Sequence, residues 1–211
     1  MENRAALVLR VRESISLPVF ESETSTMKLL LVYGTSEGQT EKISQFVADR
    51  LAQPGHRVLA VNAVEPTPAA DPRDFDAVII AASVHQGRYQ SAIILYVREH
   101  LAAIDARPNA FLSVSLAAAG HEKEDVEGLK KCVADFTHET GWTPHCIHHV
   151  AGAFRYTAYD FLKRWAMKYI AYRKGGPTDT SRDYELTDWD ELTRFVDSFV
   201  KGPANSRPSS S

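Results

Sequence analysis

The junction at residues 28–40 constrains this chain more than any other stretch. KLLLVY (28–33) is a short apolar run with no polar face, and it passes through a glycine-bracketed turn, GTSEGQT (34–40), into a helical pattern. Such a run suits a strand buried on both faces. A strand of that kind needs helices above and below it, and the rest of the chain offers them. Ile43, Phe46, Val47 and Leu51 repeat at helical spacing until Pro54 and Gly55 stop them. Residues 57–61 read as a second strand, 75–82 (FDAVIIAA) as a third, 110–116 as a fourth and 145–150 as a fifth. Helical spacing returns in Ile93, Ile94, Val97 and Leu101, and again over 126–136. The last helix is expected to start from Thr187 as cap, with Asp190 three residues on and Leu192, Phe195, Val196 and Phe199 along one face. Five strands alternating with helices predict a parallel sheet covered on both sides.

Composition narrows the class. The 211 residues suffice for one such unit, and 44% hydrophobic with 24% charged residues is ordinary for a globular protein. A net charge of -3 argues against a basic nucleic-acid binder, and no nucleic-acid partner is expected. Cys132 and Cys146 have no paired spacing, which suggests a reducing compartment without a disulfide framework. No apolar run reaches the length of a membrane span. The ends differ from the middle. Residues 1–26 contain only a short apolar stretch, 5–9, flanked by Arg4, Arg10 and Arg12, too short for a signal-peptide core. They read as a disordered extension, or as an upstream start ahead of a natural one at Met27. GPANSRPSSS (202–211) reads as a disordered tail, leaving one domain over 27–201.

The chemistry begins at the first strand-to-helix turn. Such a turn can point successive N–H groups and hydroxyls at one spot, beside the positive end of the helix dipole, and a phosphate fits there. Gly34 and Gly38 allow close backbone approach, while Thr35, Ser36 and Thr40 supply hydroxyl donors. There is no Walker lysine, which argues against a nucleoside triphosphate with magnesium, and no G-x-G-x-x-G spacing. Taken alone, the pattern is also compatible with an ordinary capped turn. No metal site is read from the sequence.

TSEGQT followed by an amphipathic helix resembles the phosphate loop of flavodoxins, with Thr35 and Thr40 in the hydroxyl positions. Glu37 stands where plain flavodoxins more commonly carry serine or threonine, so one donor side chain is lost while its N–H remains. AASVHQGRY (81–89), AGAFRY (151–156) and GGPTDTSRDYELTDW (175–189) together resemble the menaquinone-dependent protoporphyrinogen IX dehydrogenases, flavodoxin-fold enzymes of bacterial haem synthesis. The resemblance runs from Met27 to about Lys201. It implies a flavodoxin-like α/β fold, a doubly wound five-stranded parallel sheet with helices on both faces, and FMN as cofactor.

In a doubly wound sheet, ligands sit beyond the carboxyl ends of the strands where the strand order reverses. Three loops are expected there. The first, with Thr35, Ser36, Glu37, Gly38, Gln39 and Thr40, would hold the phosphate. The second, with Ser83, Val84, His85, Gln86, Gly87, Arg88 and Tyr89, would run along the isoalloxazine ring, which Tyr89 or His85 could stack on or edge. His85 and Arg88 are also readable as solvated side chains. The third begins with Ser115, Leu116 and Ala117, followed by Ala118 and Ala119, whose small side chains leave room for a flat ring. Gly152, past the fifth strand, completes the expected cofactor set.

YTAYDFLKRWAMKYIAYRK (156–174) stands apart from the rest. Leu162, Trp165, Ala166, Tyr169 and Tyr172 fall at helical spacing, with Lys163, Arg164, Lys168, Arg173 and Lys174 around them. Residues 152–176 hold six basic side chains against one acidic, while the remainder of the chain holds 18 against 26. A basic amphipathic helix rich in Trp and Tyr is what a membrane-surface contact looks like. The alternative is a helix whose aromatics pack inside the domain. In the resembled family this basic aromatic helical insert after the fifth strand distinguishes the enzyme from plain flavodoxins and is implicated in activity and membrane proximity.

The resemblance further implies protoporphyrinogen IX as electron donor and menaquinone, or a related respiratory quinone, as acceptor. The six electrons removed correspond to three rounds of flavin reduction and reoxidation. Arg155, Arg88 or Lys163 could hold a substrate propionate, and Arg164, Trp165 and Tyr169 join Arg155 and Lys163 as expected substrate or membrane contacts. No catalytic acid or base stands out. The expected location is cytoplasmic, peripheral on the cytoplasmic face of the cell membrane; a homo-oligomer stays open. An electron-carrier flavodoxin and a flavodoxin-fold NAD(P)H-quinone reductase are the other readings. The first is usually acidic around its flavin, and no dedicated site for nicotinamide phosphates is visible for the second.

Overall fold

The computed structural model describes residues 26–65, 70–120, 123–154 and 184–202. Strands β1 (Lys28–Gly34), β2 (Arg57–Asn62), β3 (Ala77–Ser83), β4 (Asn109–Ser115) and β5 (Cys146–Ala151) form one sheet in the order β2-β1-β3-β4-β5, with every pair parallel. This is the flavodoxin-like doubly wound order, whose direction of growth reverses between β1 and β3. Helices α1 (Gln39–Ala52), α2 (Ser91–Asp105), α3 (Lys123–Thr140) and α4 (Trp189–Lys201) cover it.

The apolar run of β1 explains the layering. Leu29 and Leu31 face one side, where Ile43, Val47 and Leu51 of α1 and Leu192, Val196 and Phe199 of α4 close the core. Leu30 and Val32 face the other, against Ile93, Ile94 and Val97 of α2 and Phe136 of α3. β1, β3 and β4 are buried on both faces, whereas the edge strands β2 and β5 are only partly covered. Each fully buried Leu, Ile or Val contributes about 1.5–3 kcal/mol over its exposed state. That is why β1 and β3 carry unbroken apolar runs, while β4 buries Asn109, Ser113 and Ser115 among its apolar residues. Trp142, fully buried past α3, packs edge-on against Phe111 and Phe136.

Several boundaries move from their sequence reading. β3 starts at Ala77, because Phe75 donates its N–H to Pro72 and ends a single helical turn there. α3 is longer than 126–136 at both ends. Thr187 does not cap α4. Asp188 does, its Oδ1 accepting the Glu191 N–H at 2.8 Å. Both residues have an acidic side chain three positions on, so spacing alone does not choose. Thr187 is drawn instead to the end of β5, where its hydroxyl donates to the Ala151 carbonyl at 2.7 Å.

A two-stranded ribbon has no counterpart in the sequence reading. β6 (Ala153–Phe154) pairs antiparallel with β7 (Tyr184–Glu185), so the chain beyond β5 and the chain ahead of α4 lie side by side. The expected helical insert falls between them, at 155–183, outside the described residues.

Candidate functional site

The carboxyl ends of β1, β3 and β4 open into a cleft of about 460 Å³, within the range of about 300–1,000 Å³ for small-ligand sites. Its first wall is the turn after β1. Gly38 adopts a left-handed conformation (φ 86°), which glycine takes without strain, and its N–H bonds to the Thr35 hydroxyl at 2.9 Å. α1 then begins with no side-chain cap on its first N–H groups, so these donors point at the cleft beside the positive end of the helix. Thr40 adds the telling observation. Its side chain is buried, at 1% exposure, and its hydroxyl has no hydrogen-bond partner among the described residues. A buried hydroxyl left so costs about 1–3 kcal/mol, and an anion seated on the helix start would satisfy it.

Gly34 is required for a different reason. A Cβ there would stand 2.7 Å from Ile93 Cγ1 and 3.1 Å from Gln90 Oε1, so only glycine lets α2 approach the phosphate turn.

The second wall is the turn after β3. His85 and Arg88 exchange backbone hydrogen bonds (2.8 and 3.1 Å), and both intervening residues have positive φ, Gln86 at 50° and Gly87 at 78°. This is the tight turn of a two-residue hairpin, which holds its rim in shape with its own backbone. The third wall follows β4. The Ser115 hydroxyl accepts the Ala118 N–H at 3.2 Å, and the Ser115 carbonyl accepts the Gly152 N–H at 3.0 Å. Val84, Val114, Leu116 and Ala117 make these walls largely apolar, which suits a flat ring between them.

Of the expected cofactor residues, Thr35, Ser36, Glu37, Gln39, Thr40, Ser83, Val84, His85, Gln86, Gly87, Ser115, Leu116, Ala117 and Gly152 all line this cleft. Three do not. Gly38 sets the turn from behind. Arg88 points outward to Glu139 at 3.6 Å. Tyr89 turns into the core: it is 6% exposed, lies edge-on to Phe111 and Phe136, and shares a hydrogen bond of 2.8 Å with Ser113. Burial pushes its phenol up to about 12. A residue just past a tight turn alternates sides with its neighbours, and the apolar pull of the α3 face decides which way this ring goes. Arg155, Lys163, Arg164, Trp165 and Tyr169 lie outside the described residues.

Residues missed by the sequence reading also shape the site. Val114 and Ala153 line it. Gln90 Nε2 donates to Ser83 Oγ at 2.5 Å and Ser36 Oγ at 3.3 Å, joining two walls. Gln39 donates to Glu185 and Thr187, and Lys42 pairs with Glu185 at 2.9 Å, fastening β7 to the phosphate helix. The only signal for these contacts was a polar residue at a helix start, which says nothing of where its side chain points.

A larger hollow, about 1070 Å³, lies at the opposite edge, where the strands begin and α1, α2 and α4 end. Its arginines are committed: Arg50 to Asp197, Arg73 to Asp71, and Arg107 to the carbonyls of Phe75, Ala103 and Arg73. Ligands of such sheets bind at the carboxyl edge, so the smaller, more apolar cleft is the candidate site. Among the described residues no cluster of His, Cys, Asp and Glu could hold a metal, and no helix is long and apolar enough to cross a membrane.

Known proteins resemble this chain over most of its length. The family model of the flavodoxin domain matches residues 30–181. A curated relative from Escherichia coli (strain K12), protoporphyrinogen IX dehydrogenase (quinone), is 32% identical over 81% of this chain and 93% of its own length. A protein of the same name from Leishmania major is 30% identical over 83% of this chain and 76% of its own. Among solved structures, an oxidised flavodoxin from Bacillus cereus superposes with a TM-score of 0.48 at 14% identity, over 82% of this chain and 97% of that one. The flavodoxin domain binds FMN, and the cleft fits it: a phosphate on the uncapped helix with Thr40 beneath, a ring between the apolar second and third walls. With the family model matched over residues 30–181 and curated relatives at 32% and 30% identity over four-fifths of its length, the chain belongs to the flavodoxin-domain family, among its protoporphyrinogen IX dehydrogenases.

Proposed function

We propose that this chain is an FMN-dependent oxidoreductase that converts protoporphyrinogen IX to protoporphyrin IX and delivers the electrons to a respiratory quinone, menaquinone, within haem biosynthesis. The observation that carries the reading is the cleft itself. An anion seat whose buried hydroxyl has no partner among the described residues adjoins a flat apolar slot, in a chain whose relatives in two organisms bear this activity in their names.

FMN, when bound, supplies the two-electron chemistry, taking electrons from a substrate carbon and passing them to a quinone. Loss of six electrons and six protons from the porphyrinogen therefore reduces three quinones to quinols. The chain's part is to hold and shape. The first N–H groups of α1 with the hydroxyls of Thr40 and Ser36 seat the phosphate, while the Thr35 hydroxyl is engaged in closing the loop. The turn from His85 to Arg88, pinned by its two backbone bonds, forms one rim of the ring slot. Ser115, Leu116 and Ala117 form the other and keep water from the apolar face. Among the described residues, the titratable side chains lining the cleft are Glu37 and His85, both exposed, and neither takes a proton-transfer role in this reading.

Arg155 and Lys163 hold a propionate of the substrate, and Arg164, Trp165 and Tyr169 rest the enzyme on the cytoplasmic face of the membrane, where the quinone resides. The support is the local excess of six basic over one acidic side chain at 152–176, set among aromatics.

The test is an anaerobic mixture of the FMN-loaded protein with protoporphyrinogen IX and a soluble menaquinone analogue, followed by porphyrin fluorescence. The expected result is three quinones consumed per porphyrin formed. Porphyrin formation no faster than without protein, or quinone reduction that runs only on NAD(P)H, would overturn the reading.

A further inference from the structure

We propose that Gln90 is a positioning residue for the flavin, turning the hydroxyls of Ser36 and Ser83 into donors aimed at the cleft. The proposal rests on the FMN reading above and deepens it.

Gln90 is the residue before α2 and lines no part of the cleft. Its backbone is extended (φ -61°, ψ 137°), and its carbonyl accepts the N–H groups of Ile93 and Ile94. A residue in this place commonly caps its own helix with its side chain. This one does not; the side chain turns back across the mouths of β1 and β3. Its Nε2 reaches Ser83 Oγ at 2.5 Å and Ser36 Oγ at 3.3 Å, linking the ring wall to the phosphate wall. Its Oε1 is buried with no partner among the described residues, beside the bare face of Gly34.

A serine hydroxyl has one proton to give and two lone pairs to offer. Because Gln90 fills a lone pair on each serine, each keeps its proton for another acceptor. Both serines line the cleft. A phosphate oxygen and the polar edge of a flavin are acceptors of that kind. The orphaned Oε1 is the cost of this orientation. The reverse one would bond the carbonyl oxygen to both hydroxyls and turn their protons away from the ligand. Gln90 thus acts through polarity rather than contact.

Gln90→Glu keeps the shape and reverses the polarity, since a carboxylate can only accept. In the apoprotein at pH 8, titrated by quenching of flavin fluorescence, FMN is expected to bind about 100-fold more weakly, with about tenfold lost at each serine. Riboflavin, which lacks the phosphate, should lose only the tenfold that belongs to Ser83. Ser36→Ala should weaken FMN about tenfold in the wild-type protein but not further in the Gln90→Glu protein, because the donor is already gone. Ser36 is exposed, so its variant keeps the fold and the cycle stays readable. An FMN Kd within twofold of wild type in Gln90→Glu, equal losses for FMN and riboflavin, or additive costs in the double variant would each overturn the proposal. If the wild-type apoprotein binds FMN while any of these holds, only Gln90's role fails; if it binds none, the FMN reading fails first.

Discussion

Replacing Thr40 with Val gives two predictions of opposite sign from one atom. The side chain is buried and its hydroxyl has no partner among the described residues, at the helix start where the proposed phosphate seat lies. Val has the same shape and branching, so helix preference and packing hardly change and the hydroxyl alone is lost. In the apoprotein an unsatisfied buried donor is removed, which stabilises by about 1–2 kcal/mol and raises Tm by about 2–8 °C for a domain of this size. With FMN, a hydrogen bond to a charged acceptor is lost, worth about 1.5–3 kcal/mol, so Kd rises about 10- to 150-fold. Melting curves followed by circular dichroism, with and without excess FMN, measure both. The variant should melt above wild type when apo, and its advantage should shrink or reverse as FMN is added, because ligand binding stabilises only through affinity for the folded state. Riboflavin should bind both proteins alike. A variant apoprotein that melts below wild type would mean that the hydroxyl is bonded in the free protein, and the phosphate-seat argument would lose its chief support.

Gly34→Ala places a methyl 2.7 Å from Ile93 Cγ1 and should cost about 1–3 kcal/mol in urea unfolding; Ile93→Val in the same chain should recover part of it, and no recovery would locate the strain elsewhere. Burial holds the imidazoles of His148 and His149 below their ordinary value, against a partial pull upward at His148 from Glu191 and Asp188. The unfolded chain takes up these protons near pH 6.5 and the folded chain only lower, so the contribution is full above that pH and is lost as pH falls below it. Urea midpoints should therefore drop between pH 7 and 5, and His148→Phe, which keeps the stack on Phe195, should flatten the slope; an unchanged slope refutes the assignment. Changing Lys163, Arg164 and Lys168 together to Gln should cost about 3 kcal/mol of affinity for anionic vesicles at low salt and far less at high salt. Unchanged co-sedimentation would remove the membrane role.

What the sequence discloses, and what it hides, divides along the range of the interactions. A parallel sheet covered on both faces follows from apolar runs such as KLLLVY, since a strand buried on both faces has few architectures open to it, whereas the flavodoxin-like strand order is implied only by the resemblance. The proposed phosphate seat is equally local. Gln39 and Thr40 stand together at the start of α1, just after the turn that Gly38 sets, so spacing places their donors together before any folding is known. The ring walls need two loops from strands that pair side by side, and the order of the strands already brings those loops to one edge. Legibility ends where a side chain chooses its partner across space. Tyr89 has the composition of a ring contact, yet Phe111 and Phe136 claim it, and nothing within its own loop announces them. Thr187 has the spacing of a cap, yet the carbonyl of Ala151, 36 residues away, is the stronger claim. Gln90 is the limiting case. Its role exists only because Ser36, 54 residues earlier, and Ser83, seven residues earlier, arrive at one amide group. A polarity shared by three residues on three elements leaves no periodicity and no motif, so only the folded chain discloses it.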